Sequence, residues 1–392
     1  MKVVYAMLRS HFQKRDGGAE SLRNLVKGIG GKVEITVISS STRGGDHYNG
    51  ISYASSPWEG KRSDFKVLSF VRDFYHAVKK VLDSHDIIHL VLPNPIFSPL
   101  ANALKKQTDK KVIVTYESLH YTDFSSFFSP ALFYPENLLR LILFNRFLAR
   151  MPQNRCDRYV VSSEFQKRAL MKLGYRGEKV TAIPNCTDLK QYLPGEAGVL
   201  RQRYGIGGGS IVSYVGHFHY SKGVESLVRS FPAVLKKRED ATLVLCWSGA
   251  GRGEKIRKLI ETLRIEDRVV LMNKLVNVSE VLSLSDVFVL PYLHLFNTRI
   301  FPNLVFEAFA VGVPLVTTRV EPLPELIEEG ETGLLVPPHD PASLSEAVLG
   351  LLEDKAVRER MRVNQRRVVR ERYDAPVVAE QHYRMYQEVF YE

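Results

Sequence analysis

Residues 286–336 read DVFVLPYLHLFNTRIFPNLVFEAFAVGVPLVTTRVEPLPELIEEGETGLLV. Val287–Leu290 is a short apolar run of the kind that forms a strand buried on both faces. A loop follows, then Phe301-Pro302-Asn303. From Asn303 to Val311 the apolar residues Leu304, Val305, Phe306, Ala308 and Phe309 predict a short helix. Gly312 suits its C-terminal cap, and Pro314 cannot continue it. Leu315–Thr318 predicts the next strand. Strand, loop, helix, strand is the unit of a doubly wound α/β sheet, and such sheets bind ligands outside the carboxyl ends of their strands.

One charge stands inside this apolar helix. Glu307 lies about one turn from its start, where a carboxylate gains from the positive end of the helix dipole. It can accept hydrogen bonds from a vicinal diol such as a ribose. The backbone N–H groups of the first turn suit phosphate oxygens. The pattern therefore fits a nucleotide diphosphate, with sugar hydroxyls on Glu307 and phosphate on the helix start. A structural carboxylate that caps the helix or meets a basic neighbour fits the local pattern as well.

The stretch resembles the donor-binding segment of glycosyltransferase family 4, retaining enzymes of the GT-B fold. The family pattern is E-G-F-P-N-x-x-x-E-A, then G-x-P, then P-E-x-x-x-x-G-x-x-G-x-L-V. Here it meets Phe301, Pro302, Asn303, Glu307, Ala308, Gly312, Pro314, Pro324, Glu325, Gly330, Gly333, Leu335 and Val336. The first Glu of the family's pair falls on Arg299, which suits a donor sugar carrying an acidic group. The resemblance implies ribose on Glu307 and donor contacts at Arg299, Phe301, Pro302, Asn303 and Leu304.

Outward from this segment the same alternation recurs. Strands are predicted at 2–7, 33–39, 86–91, 111–115, 157–162 and 180–184, with helices between them. Asp16-Gly17-Gly18-Ala19-Glu20 follows the first strand, and a glycine pair there lets backbone approach a ligand closely. The family often carries G-G-x-E at this place, so the resemblance implies that Gly17 and Gly18 lie between donor and acceptor. Glu117 and His120 follow the strand at 111–115, where the family carries His then Asp or Glu, and are expected to meet the acceptor. Segment 40–66 is polar and rich in Gly and Ser, a loop with a short strand. Residues 121–151 are rich in Phe, Leu and Tyr, with Arg140, Arg146 and Arg150. They suit a core helix, an apolar acceptor cleft, or docking at a membrane interface. Asn185-Cys186-Thr187-Asp188 resembles the family's P-N-G-x-D. Tyr192-Leu193-Pro194-Gly195 reads as a linker.

Beyond the linker the pattern restarts. The strand 211–215 is followed by Gly216-His217-Phe218-His219-Tyr220-Ser221-Lys222-Gly223, which resembles the family's G-R-x-x-x-x-K-G, a clamp for the donor diphosphate. Gly216, Lys222 and Gly223 match, and the Arg falls on His217. Lys222 offers a compact positive charge where the leaving diphosphate gathers charge. The strand 241–246 ends in Trp247-Ser248-Gly249-Ala250-Gly251, similar to the family's G-x-G turn near the base. Lys274 and Leu275 stand where the family reads the base with backbone groups. Asp340 is an expected N-cap with Pro341 at the first helical position. Helices are predicted at 357–370 and 376–391, and in the GT-B fold the last helix crosses back to the first domain.

The expected fold is thus GT-B: two Rossmann-like doubly wound domains, 1–193 and 194–375, facing a cleft, with 376–392 returning to the first. The expected activity is retaining transfer of a hexose from a UDP- or GDP-linked sugar to a glycan, glycolipid or other hydroxyl acceptor. The catalytic set is Lys222, Glu307, Glu117 and His120. No Asp-x-Asp metal motif and no cofactor are read. A non-catalytic nucleotide- or glycan-binding subunit and a sugar-nucleotide epimerase of the same fold remain open alternatives.

Composition adds bounds. The 392 residues are 45% hydrophobic and 25% charged, ordinary for a globular chain of two domains. Residues 1–195 carry 29 Lys and Arg against 17 Asp and Glu, and the remainder 25 against 26, so the net charge of +11 belongs to the first half. An anionic membrane surface or a phosphate-bearing acceptor is the expected partner, and nucleic acid is not, because no nucleic-acid motif accompanies the charge. No run of about 18 apolar residues appears. The start is too short for a signal peptide or spanning helix, so a cytoplasmic place is expected, peripheral on the inner face of the membrane. Three scattered cysteines are expected to stay thiols.

Overall fold

The computed structural model describes residues 1–7, 17–38, 47–48, 51–54, 74–93, 95–117, 155–192, 195–273, 277–294 and 302–392. Contacts divide these into two compact units. One takes Met1–Cys186 and Ala375–Glu392; the other takes the described residues from Thr187 to Asp374.

The first unit is an eight-stranded sheet. Its strands are β1 (Lys2–Met7), β2 (Glu34–Ile38), β3 (His47–Tyr48), β4 (Ile51–Ala54), β5 (Ile87–Leu92), β6 (Lys111–Tyr116), β7 (Arg158–Val161) and β8 (Val180–Ala182). Their order is β3-β4-β2-β1-β5-β6-β7-β8, and only the β3–β4 pair is antiparallel. Apolar residues run without alternation in the central strands because both faces are covered. Val4 and Ala6 enter one core with Ile88, Leu90, Val112 and Val114. Val3, Tyr5 and Met7 enter the other with Ile35, Ile113 and Val160.

That second face is covered by the helix Gly17–Ile29 and the helix Ala375–Tyr391. Gly17 and Gly18 are thus the first two helical residues rather than part of a preceding turn. Gly28 lets the two helices touch: a Cβ there would lie 2.7 Å from Ala379 Cβ and 3.0 Å from the Ala375 carbonyl oxygen. A buried polar tie reinforces the contact. His89, in the centre of β5, meets the Tyr386 hydroxyl through Nδ1 at 2.6 Å and the Thr115 hydroxyl through Nε2 at 2.7 Å. Burial holds the His89 ring neutral.

The second unit carries six strands, all parallel: β9 (Ile211–Phe218), β10 (Thr242–Gly251), β11 (Val269–Asn273), β12 (Val287–Leu290), β13 (Leu315–Thr318) and β14 (Leu334–Val336), in the order β11-β10-β9-β12-β13-β14. The chain moves outward from β9 to β11 and then returns to lay β12 on the other side of β9. The order therefore reverses between β9 and β12, the crevice where a doubly wound sheet takes its ligand. The segment expected as a G-x-G turn instead continues β10. Its register against β9 shifts between Trp247 and Gly251, and Gly251 pairs Phe218. Gly249 lies inside this bulged tail.

Local signals explain the helices that frame the crevice. Asn303–Val311 ends at Gly312, whose φ of 75° is the left-handed cap. A Cβ at Gly312 would also meet Arg366, whose guanidinium donates to the Val311 carbonyl at 2.6 Å. Pro341–Glu353 is capped by Asp340, which accepts from the Ala342 and Ser343 amides.

Candidate functional site

At the carboxyl end of β9 the chain makes a tight turn, Tyr220–Lys222, and passes into the helix Val224–Lys237 through Gly223. The His219 ring caps the turn, Nδ1 accepting from the Ser221 N–H at 3.3 Å and contacting its hydroxyl at 2.9 Å. Gly223 has φ 69°, and a Cβ there would lie 1.7 Å from the Pro291 carbonyl oxygen. No side chain fits, because the turn is pressed against the loop after β12. Leu293 N–H donates to the Ser221 carbonyl at 2.9 Å. From the other side, the Thr317 hydroxyl donates to the Leu290 carbonyl at 2.7 Å and the Thr318 hydroxyl to the Tyr292 carbonyl at 2.5 Å. The loop after β12 is therefore held by both neighbouring strands.

This clamp fixes Tyr292, which is 2% exposed. The Lys222 ammonium sits 4.7 Å from the centre of its ring. Glu307, 9% exposed in the Asn303–Val311 helix, lies close enough that its charge, after burial, raises the Tyr292 hydroxyl's pKa. Tyr292 thus has the Lys222 ammonium against its ring and feels the charge of Glu307 at its hydroxyl. Among the described residues no carboxylate pairs with Lys222, and burial pushes its pKa down to about 8. A half-buried ammonium without a counter-ion is stable only if the fold compensates elsewhere, and such groups mark sites that await an anion.

Histidines crowd the same lysine. His294 is pushed down to about 4 by burial first, then by His219, His339 and Lys222. His219 is lowered by burial, Arg252, Lys222 and His217, and His217 by burial and Lys222. At neutral pH these rings are uncharged donors and acceptors around one ammonium. His217, where the motif's Arg would stand, is exposed.

Gly216, Lys222, Pro302, Asn303, Leu304 and Glu307 all lie on the β9 and β12 carboxyl edge of the second unit. Pro302 is the N-cap position, and Asn303 and Leu304 are the first two helical residues, whose amides point out of the helix start. Gly249 lies on the neighbouring strand. His120, Lys274, Leu275, Arg299, Phe301 and the run 121–151 lie outside the described residues.

Gly17, Gly18 and Glu117 belong to the first unit. Glu117 follows β6 there and lines a cavity of about 80 Å³ with Tyr5 and His382. His382 comes from the last helix, is 5% exposed, and is held neutral by burial down to about 4.

Sequence reasoning missed Tyr292, His294 and His382. Tyr292 had a signal, since it follows a predicted buried strand by two residues. The histidines had none, because their neighbours come from elements far away in sequence.

Among the described residues, no group of three or more His, Cys, Asp or Glu could hold a metal ion, and no helix is long and apolar enough to cross a membrane. Cys156, Cys186 and Cys246 are buried thiols outside any disulfide among the described residues.

The chain spans about half the length of the curated relatives it matches. N-acetyl-alpha-D-glucosaminyl L-malate synthase of Bacillus anthracis is 30% identical over 54% of each chain. Alpha-D-kanosaminyltransferase of Streptomyces kanamyceticus is 30% identical over 48% of each. Among solved structures, sucrose-phosphate synthase from Thermosynechococcus elongatus superposes with TM-score 0.79 at 20% identity over 100% of both chains. Anabaena HepE in complex with UDP and glucose gives 0.72 at 16% over 99% of both. These likenesses show the GT-B fold. The family model for Glycosyltransferase Family 4 matches residues 15–191 and that for Glycosyl transferases group 1 matches residues 209–354, so the chain belongs to the group 1 glycosyltransferases of family 4.

Proposed function

We propose that the chain transfers a hexose from a nucleotide-diphosphate sugar to a hydroxyl acceptor with retention of configuration. The observation that carries this reading is the desolvated ammonium of Lys222 against Tyr292 at the β9/β12 crevice, with no carboxylate partner among the described residues. As the sugar–phosphate bond breaks, negative charge gathers on the leaving diphosphate. A preorganised cation in a dry setting stabilises that charge without having to reorganise. Lys222 takes the diphosphate, the amides of Asn303 and Leu304 take phosphate or sugar oxygens, and Glu307 accepts from the ribose hydroxyls. The lysine and the helix start supply positive charge of the kind a metal ion supplies elsewhere.

UDP is the first donor nucleotide to test, since the HepE structure holds it, and GDP the second. The acceptor, a glycan or lipid-linked hydroxyl, is assigned to the first unit near Gly17, Gly18 and Glu117. The basic excess of residues 1–195 supports an anionic membrane surface as its setting.

The test is a thermal-shift titration with UDP, GDP, ADP and CMP. A ligand that binds only the folded chain raises the melting temperature by mass action. One diphosphate is expected to do so, and Lys222→Ala to abolish the shift. No shift with any nucleotide would overturn the donor site. The second reading, a binding subunit without turnover, would then lead. His217 favours it, since a ring held neutral cannot replace the motif's permanent guanidinium charge.

A further inference from the structure

A second cavity of about 300 Å³ opens beside the Lys222 turn, at the starts of three helices: Val224–Lys237, Gly253–Leu263 and Pro341–Glu353. Neither Lys222, Tyr292 nor Glu307 lines it. We propose that this cavity is a separate anion site, built for a phosphate monoester group.

Charge carries the argument. Three cations line the cavity, Arg229, Arg252 and Lys255, against one carboxylate, Glu225. Glu225 is shared: Arg229 reaches it at 3.1 Å and Lys255 at 2.8 Å. Arg252 is left over. Among the described residues no carboxylate pairs with it, and its guanidinium lies 5.7 Å over the Tyr220 ring. That cation–π contact places the guanidinium at the cavity wall, and its planar fork suits bidentate phosphate.

His219 and His339 complete the wall and can donate to the same oxygens. His339 is held at φ 62°, a left-handed conformation uncommon for a side chain, with its ring 6.2 Å from Tyr220. The space far exceeds what one water fills, so a phosphate with a few attached carbons enters. His219 both lines this cavity and caps the turn that carries Lys222. An occupant that orders His219 therefore steadies Lys222, and the two sites are coupled.

Isothermal titration of the full chain with inorganic phosphate, at ionic strength fixed with sodium chloride, tests the site without requiring activity. Saturable binding is expected in the wild type and in Lys222→Ala. Arg252→Gln should weaken it about tenfold or more, and His339→Asn, which keeps the left-handed backbone accessible, should also weaken it. Both substitutions are at surface positions, and their melting temperatures check that the chain folds.

A second arm separates the sources of the phosphate. Arg252-dependent capture by phosphatidic acid vesicles assigns a lipid headgroup, whereas phosphate binding without vesicle capture assigns a soluble ester. Absence of saturable phosphate binding overturns the proposal. So does binding that Lys222→Ala abolishes and Arg252→Gln leaves intact, since that phosphate would sit in the donor site.

Discussion

Replacing Lys222 by methionine removes the ammonium and keeps an unbranched stem against Tyr292. A lysine in water keeps its proton to 10.5, whereas Lys222 keeps it to about 8, and burial is the cause. That difference corresponds to a cost of roughly 3 kcal/mol for holding the charge in the folded protein at pH 7. Lys222→Met is therefore expected to stabilise the ligand-free chain at pH 7 by up to about 3 kcal/mol. The gain shrinks from pH 8 toward 10.5, where the unfolded lysine still binds a proton that the folded one has released.

Ligand binding moves the other way. The diphosphate needs the ammonium, so removing it costs about 1.5–3 kcal/mol at pH 7. Between pH 7 and 9 the protonated fraction falls from about nine-tenths to about one-tenth, and wild-type affinity drops about tenfold. The assay is calorimetric titration of the nucleoside diphosphate into wild type and variant at both pH values. Taking the ratio of the two affinities cancels any titration of the ligand itself. A ratio unchanged from pH 7 to 9, or a variant less stable than wild type at pH 7, would refute the reasoning.

Glu307→Ala is expected to remove discrimination between UDP and its 2′-deoxy analogue, which the wild type should favour and disfavour respectively by roughly tenfold through the diol contact; calorimetry with both ligands decides. Gly223→Ala should destabilise the chain by about 2 kcal/mol or more in urea unfolding, because the left-handed backbone and the Pro291 carbonyl at 1.7 Å both oppose a Cβ. His382 stays neutral in the fold to about 4 but takes a proton near 6.5 when unfolded. Stability is therefore lost as pH falls, by about 2 kcal/mol between pH 7 and 5 from this group alone. His382→Gln should flatten that part of the curve, and an unchanged curve would show that the ring is not held neutral.

Much of the fold was legible because its signals are local. Val287–Leu290 and Leu315–Thr318 are apolar runs of strand length and form the strands expected of them. The Asn303–Val311 helix stops at Gly312, where a left-handed residue is needed. Asp340 with Pro341 opens a helix as its capping chemistry dictates. The placement of β12 beside β9 was not legible, since nothing in either strand names its neighbour. The continuation of β10 through Gly249 was missed for a related reason: glycines read as a turn, whereas pairing with Phe218 extends the strand.

At the site, Lys222 and Glu307 were readable from residue type and spacing. Tyr292, whose ring meets Lys222, was not, because its importance comes from Thr318 and Ser221 gripping its loop from distant parts of the chain. His382 reaches the Glu117 cavity only because the last helix lies on the first sheet.

The docking of Ala375–Tyr391 against Gly28 has a consequence for the order of events at the ribosome. The first sheet is translated early, yet one of its faces has only the Gly17–Ile29 helix to cover it until residues 375–391 emerge, after the entire second unit has been made. Through that interval the cluster of Val3, Tyr5, Val26 and Ile29 lacks the share of its packing that Val378, Ala379 and Tyr386 supply. A premature stop near residue 374 therefore takes packing away from the half of the molecule that was already synthesised.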